Sequence, residues 1–125
     1  MVPSTLTVSL CRKYSLFPTI EEWKNKILLL ETSEEKPSPY LYRKMIRELK
    51  KYGMFDLISG VLVGKPQDEI YYDDYKKILM DEISDVGLPI VYNVNIGHAT
   101  PRCIIPFGVK TKVDVNEQVI RFIYN

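Results

Sequence analysis

The hydrophobic positions change period along the chain. "KILLLE", residues 26–31, ends in an unbroken apolar block too short for a helix and predicts a buried strand. In "SPYLYRKMIRELKKYG" the apolar residues Leu41, Met45, Leu49 and Tyr52 recur at helical spacing, with Ile46 beside them. Ser38 stands at the N-cap, Pro39 at the first helical position and Gly53 just past the end, so this helix has a start and a stop. "GVLVG" predicts a second buried strand. "YYDDYKKILMDEISDVG" predicts a second helix that buries Tyr75, Ile78, Leu79 and Ile83, and "LPIVYNV" a third strand. The order β-α-β-α-β calls for parallel strands joined by right-handed crossovers.

Beyond this core the helical period is lost. "NVNIGHATPRCIIPFG" has the glycines and prolines of a loop, and "VKTKVDV" and "QVIRFIY" flank Asn116-Glu117 as the arms of a hairpin. The fold class read from the pattern is α/β, a parallel β-α-β-α-β core with a C-terminal β-hairpin. Residues 1–19, with Pro3 and Pro18 and little periodicity, read as a lead-in segment or the remnant of an interdomain linker, and 20–125 as the domain.

Composition narrows the function classes. A chain of 125 residues fits one domain and hides roughly two thirds of its unfolded surface. Seventeen basic and sixteen acidic residues leave a net charge of +1, which argues against nucleic acid or an anionic membrane as partner. No apolar run approaches the ~18–20 residues of a membrane helix. The start of the chain has no basic region ahead of an apolar core, against a signal peptide. Cys11 and Cys103 lie outside any CxxC pattern and suit free thiols in a reducing, cytoplasmic compartment, with a single bridge between them as the alternative.

The sole histidine, His98, lies in the loop after the third strand, and Glu31 closes the first. If those strands are parallel, both residues arrive at the carboxyl edge of the sheet, where open α/β folds bind ligands. An imidazole and a carboxylate on one rim are what a general base and its orienting acid require. Plainer readings stand beside this: His98 as a structural or exposed histidine, Glu31 as a solvated strand end. Metal binding is disfavoured, because there is no second histidine and the cysteines lack ligand spacing. "GKP" at 64–66 lacks the rest of a phosphate loop. Arg43, Lys44, Arg47, Lys50 and Lys51 read as a solvated helix face, and Tyr71, Tyr72 and Tyr75 as packing. No GxSxG elbow is present. Ser33 either reaches the rim or caps a turn, and Cys103, in an apolar run, reads as a buried, inert thiol. The residues leave a base and an orienter without a nucleophile.

"KILLLETSEE", "GVLVGKPQDE" and "GLPIVYNVNIGHATPRCIIPFGVKTKVD" closely resemble the C-terminal half of the L,D-carboxypeptidase family, the serine peptidases that include muramoyltetrapeptide carboxypeptidases and microcin-immunity peptidases. The resemblance covers roughly residues 20–122, and its most specific part is the GHxxP loop with its downstream PxG, at Gly97, His98, Pro101, Pro106 and Gly108. It implies a small swivelling β/β/α-type domain carrying the glutamate (Glu31) and histidine (His98) of a Ser-Glu-His triad. The serine, and most of the oxyanion hole, would belong to an N-terminal nucleophile domain of the same parent chain. The implied activity is release of a C-terminal D-amino acid from cell-wall-type peptides bearing a free carboxylate. Arg102 lies outside the matched motif but beside the loop, which makes it a candidate partner for that carboxylate. No cofactor or metal is implied, and family members commonly form a homodimer. By itself the chain would be inactive, its Glu31–His98 contact tightening only on assembly. The alternative is a non-catalytic α/β binding module reusing the fold.

Overall fold

The computed structural model describes residues 17–125. A short helix α1 (Ile20–Trp23) opens on a capping box: the Thr19 hydroxyl accepts from the Glu22 N–H, and the Glu22 carboxylate accepts from the Thr19 N–H. Three parallel strands follow, β1 (Ile27–Leu30), β2 (Gly60–Gly64) and β3 (Ile90–Val94), in the order β1-β2-β3. Helix α2 (Pro39–Lys51) links the first two and α3 (Tyr72–Ile83) the last two. Two right-handed crossovers in one direction put both helices on one face of the sheet, where they pack on each other. This is the predicted α/β order. The expected linker region lies mostly outside the described residues, and Cys11 wholly so.

Local chemistry sets the ends of α2. The Ser38 hydroxyl accepts the Leu41 N–H, Pro39 takes the first helical position, and Gly53 at φ 83° supplies the left-handed stop. The buried stripe is Tyr42, Met45, Ile46 and Leu49. It is rotated from the predicted one: Leu41 is half-buried, and Tyr42 goes inward to stack on Tyr75 of α3 at 4.2 Å between ring centroids. The second helix buries the four predicted residues, Tyr75, Ile78, Leu79 and Ile83. These close the core with Leu30 of β1 and Val61 of β2.

The basic run on α2 is more than a solvated face. Arg43 donates to Glu82 (2.7 Å) and Asp81 (3.2 Å), Arg47 to Glu82 (2.9 Å), and Lys50 to Asp85 (3.0 Å). Periodicity on one helix cannot reveal this, because the acidic partners lie on or just beyond α3 and meet α2 only when both crossovers close on the same side. Lys44 and Lys51 stay local, over the Tyr40 ring and against Glu48.

On the other face of the sheet, Ile27, Leu29 and Leu62 line a groove shared with Ile105, Pro106 and Phe107 and with Phe122 of an antiparallel hairpin, β4 (Lys110–Asp114) and β5 (Val119–Ile123). The hairpin turn is four residues long, against the two expected. Asp114 accepts from the N–H groups of Asn116 and Glu117, an Asx turn that ends pairing early. Among the described residues no helix is long and apolar enough to cross a membrane.

Tyr75 joins this core to the loop after β1 by donating to the Pro37 carbonyl at 2.5 Å. Burial, then the neighbouring Tyr71 and Asp74, pushes its phenol up to about 12, from an ordinary value of about 10. The folded chain therefore holds this proton more tightly than the unfolded one. Stability from this group is complete below about pH 10 and falls as the pH rises toward 12, at roughly 1.4 kcal/mol per unit. Tyr42 and Tyr92 are raised in the same direction, also chiefly by burial. Urea unfolding at a series of pH values from about 8 to 11 should show this decline, and Tyr75→Phe should make it shallower by about one proton.

Candidate functional site

The parallel register fixes where the candidate residues emerge. Leu30 of β1 pairs with Val63 of β2, so Glu31 leaves β1 beside Gly64, the last residue of β2. Gly64 in turn pairs with Val94, the last residue of β3. Between Leu62 and Gly64 the ladder slips: two steps along β2 match three along β3, with Asn93 in the left-handed region at φ 65°. This bulge inserts one residue just before the histidine loop. Glu31 and His98 share the carboxyl edge, as the strand order predicts, but the whole of β2 separates their strands.

The loop crosses that gap over two glycines. A Cβ on Gly64 would meet the Ile96 side chain at 2.8 Å, the Ile96 carbonyl at 2.9 Å and the Glu31 Cβ at 3.2 Å. Gly97, at φ 90°, lies so close to Glu31 that a Cβ there would run into the carboxylate. With both side chains absent, Ile96 folds onto the end of β2 and His98 reaches across. Its Nδ1 lies 3.0 Å from Glu31 Oε2. The Glu31 side chain is 13% exposed and the His98 side chain 31%, so the carboxylate sits deep and the ring half-open. Sequence reasoning expected this contact to tighten only on assembly; here it is already formed, because Gly64 and Gly97 carry no side chain to hold the loop off. The far side of the loop is closed by Cys103, whose N–H and thiol both donate to the Asn95 carbonyl, at 2.8 and 3.0 Å.

Glu34 completes the set. Its Oε2 lies 2.8 Å from His98 Nε2, so the ring is held between two carboxylates. Both come from the loop after β1, which is tied down at three points. The Lys36 N–H donates to the Ser33 carbonyl, and the Glu35 N–H to the Ser33 hydroxyl. Lys36 Nζ pairs with Asp68 on the loop after β2, and Tyr75 holds Pro37. Of the two readings of Ser33, the geometry supports the turn cap.

Sequence reasoning missed Glu34. Its signal was only the "ETSEE" spacing, three residues after Glu31 in a turn-forming run. Arg102 is exposed four residues beyond His98. Cys103 is exposed, not buried, because the run "RCIIPF" is loop, with Ile104 and Phe107 almost wholly open to solvent. Among the described residues no three His, Cys, Asp or Glu side chains gather as a metal site.

A family model for the LD-carboxypeptidase C-terminal domain matches residues 4–113. An MccF-like protein from Streptococcus pneumoniae, whose crystal structure was solved in complex with AMP, is 59% identical, with a TM-score of 0.85 over 93% of this chain and 34% of that one. The probable murein peptide carboxypeptidase of Bacillus subtilis is 27% identical over 76% of this chain and 31% of its own length. A muramoyltetrapeptide carboxypeptidase from Oxalobacter formigenes shares the fold at 20% identity, with a TM-score of 0.55 over 70% of this chain and 32% of that one. The chain spans 35% and 29% of the lengths of two further carboxypeptidase relatives.

Gly97→Ala should separate backbone strain from collision. Gly53 has a similar φ of 83° and nothing within 4 Å of where a Cβ would stand, so Gly53→Ala carries strain alone. We expect about 1 kcal/mol from Gly53→Ala and about 2–4 kcal/mol from Gly97→Ala in urea unfolding, with the His98 ring resonances displaced only in the latter. Equal costs would mean that Glu31 does not press on the loop.

Proposed function

The chain belongs to the LD-carboxypeptidase C-terminal domain family, and from that premise we propose that it supplies Glu31 and His98 to the Ser-Glu-His triad of a serine-type carboxypeptidase. The serine would come from an N-terminal nucleophile domain of the parent protein. The substrate would be a cell-wall-type peptide with a free C-terminal carboxylate, from which a D-amino acid is released. The observation that carries this reading is the 3.0 Å contact between His98 Nδ1 and a Glu31 carboxylate of low exposure.

The chemistry follows from that contact. With Nδ1–H donated to Glu31, the basic lone pair of the neutral ring is on Nε2, on the side away from the strand ends. A serine hydroxyl presented there loses its proton to Nε2 as its oxygen attacks the scissile carbonyl carbon. Glu31 stabilises the imidazolium that forms. The imidazolium then returns the proton to the departing amine, and water repeats the cycle on the acyl-enzyme. Glu31 is suited to its part because it is positioned before the reaction begins, walled by the backbone at Gly97 and by Gly64.

A second reading of the substrate rests on the 59% identical chain solved with AMP. On that reading the same triad cleaves a peptidyl- or aminoacyl-nucleotide conjugate, as in microcin immunity. The acyl carbon attacked and the roles of Glu31 and His98 are unchanged; the bond to the leaving group, and the group that accepts the returned proton, differ.

In the full-length parent, His98→Ala should lower kcat with little effect on KM, because proton transfer acts in the transition state. Glu31→Gln keeps the shape and removes the charge, with a loss on the order of 10²–10⁴ in kcat. The assay is release of free D-alanine from a D-alanine-terminated tetrapeptide, run beside a nucleotide conjugate to discriminate the two substrates. Near-normal kcat in both variants would refute the triad and favour a non-catalytic binding module. The 125-residue chain alone should release nothing.

A further inference from the structure

We propose that Glu34 is an internal latch on His98, occupying the ring nitrogen that the reaction needs until another group displaces it. The proposal rests on the triad reading above for its consequence, but its geometry stands apart from it. Glu31 and Glu34 both face the ring, at 3.0 Å from Nδ1 and 2.8 Å from Nε2. Glu34 Oε2 stands against Nε2, where an incoming hydroxyl would have to sit, so the two cannot occupy that position together.

The two carboxylates are not equivalent. Glu31 is 13% exposed and confined by Gly97 and Gly64, so it cannot leave. Glu34 is 64% exposed and sits in a turn closed by Ser33 and Lys36, so its side chain can swing into water without moving the backbone. The fixed carboxylate is therefore the orienter and the movable one the latch. A carboxylate contact this exposed is worth little, which suits a contact meant to be displaced. A hydroxyl brought to Nε2 by a docking domain would exchange with Glu34, leaving Nε2 as acceptor and the Nδ1–Glu31 contact in place. His98 would thus be held out of action in the chain by itself and released by the partner that gives it something to activate.

Because His98 is the sole histidine, one residue reports the latch. Diethyl pyrocarbonate transfers an ethoxycarbonyl group to a ring nitrogen bearing a lone pair, releasing ethanol and carbon dioxide, and the adduct is followed by ultraviolet absorbance. On the 125-residue chain at neutral pH, Glu34→Ala and Glu34→Gln should react roughly two- to fivefold faster than the wild type, the range of an exposed ion pair. High salt should bring the wild type toward the variants. The Nε2 resonance in long-range ¹H–¹⁵N spectra should move in Glu34→Ala, because the carboxylate beside it is gone. Unchanged rates and unchanged ring resonances in both variants would overturn the latch. Neither readout needs catalysis, so a latch that holds while His98→Ala leaves the parent's turnover intact would sink the triad reading and not this one.

Discussion

A single steric constraint underlies the site: nothing larger than hydrogen fits at Gly64 and Gly97. Adjacent strands lie about 4.8 Å apart, so β1 and β3 are separated by roughly 9.5 Å with β2 between them. A carboxylate at the end of one and an imidazole after the other cannot meet unless the second loop crosses the end of the middle strand in contact with it. Gly64 removes the side chain that would hold Ile96 off the strand end, and Gly97 removes the one that would strike Glu31. The Glu31–His98 contact, the depth of the carboxylate and the outward face of Nε2 all follow from that crossing.

The other half of the site is the loop after β1, which is made rigid by the helical layer. Tyr75, buried in the core and stacked on Tyr42, reaches out to the Pro37 carbonyl. Lys36 bridges to Asp68 on the adjacent loop, and Ser33 closes the turn that ends at Lys36. Packing energy from the α2–α3 interface is thereby coupled to the placement of Glu31 and Glu34. The ion pairs between those helices add orientation more than energy, since most involve partly exposed arginine and lysine heads. Glu82, at the centre of the network and well shielded, sets the helix register most firmly.

The two sides of the imidazole therefore obey different physics. On the Nδ1 side, a confined carboxylate faces a low-mobility, partly dry environment in which a hydrogen bond keeps its geometry. On the Nε2 side, the Glu34 carboxylate is largely open to solvent, so the geometry there is held by far fewer contacts. The chain spans about a third of the length of such relatives, and the proposed latch acts only on the open side of the ring.

The sequence by itself determined the elements whose energetics are local. Strand and helix identities follow from period, helix ends from Ser38, Pro39 and Gly53, and the shared edge of Glu31 and His98 from the β-α-β-α-β order with right-handed crossovers. The resemblance to a peptidase family lay in the GHxxP loop and the "LLE" strand end. What only the tertiary structure decided depends on contacts between distant parts of the chain. Tyr42 rather than Leu41 faces inward because Tyr75, on another helix, offers a ring to stack on. The basic stripe of α2 finds its acids only when α3 lies alongside. Glu34 reaches Nε2 only after a loop 67 residues from Glu31 has crossed β2, and Cys103 is exposed because that crossing leaves its own far end in solvent. Periodicity reports which face of an element is buried; it carries no information about which side chain waits on the other side.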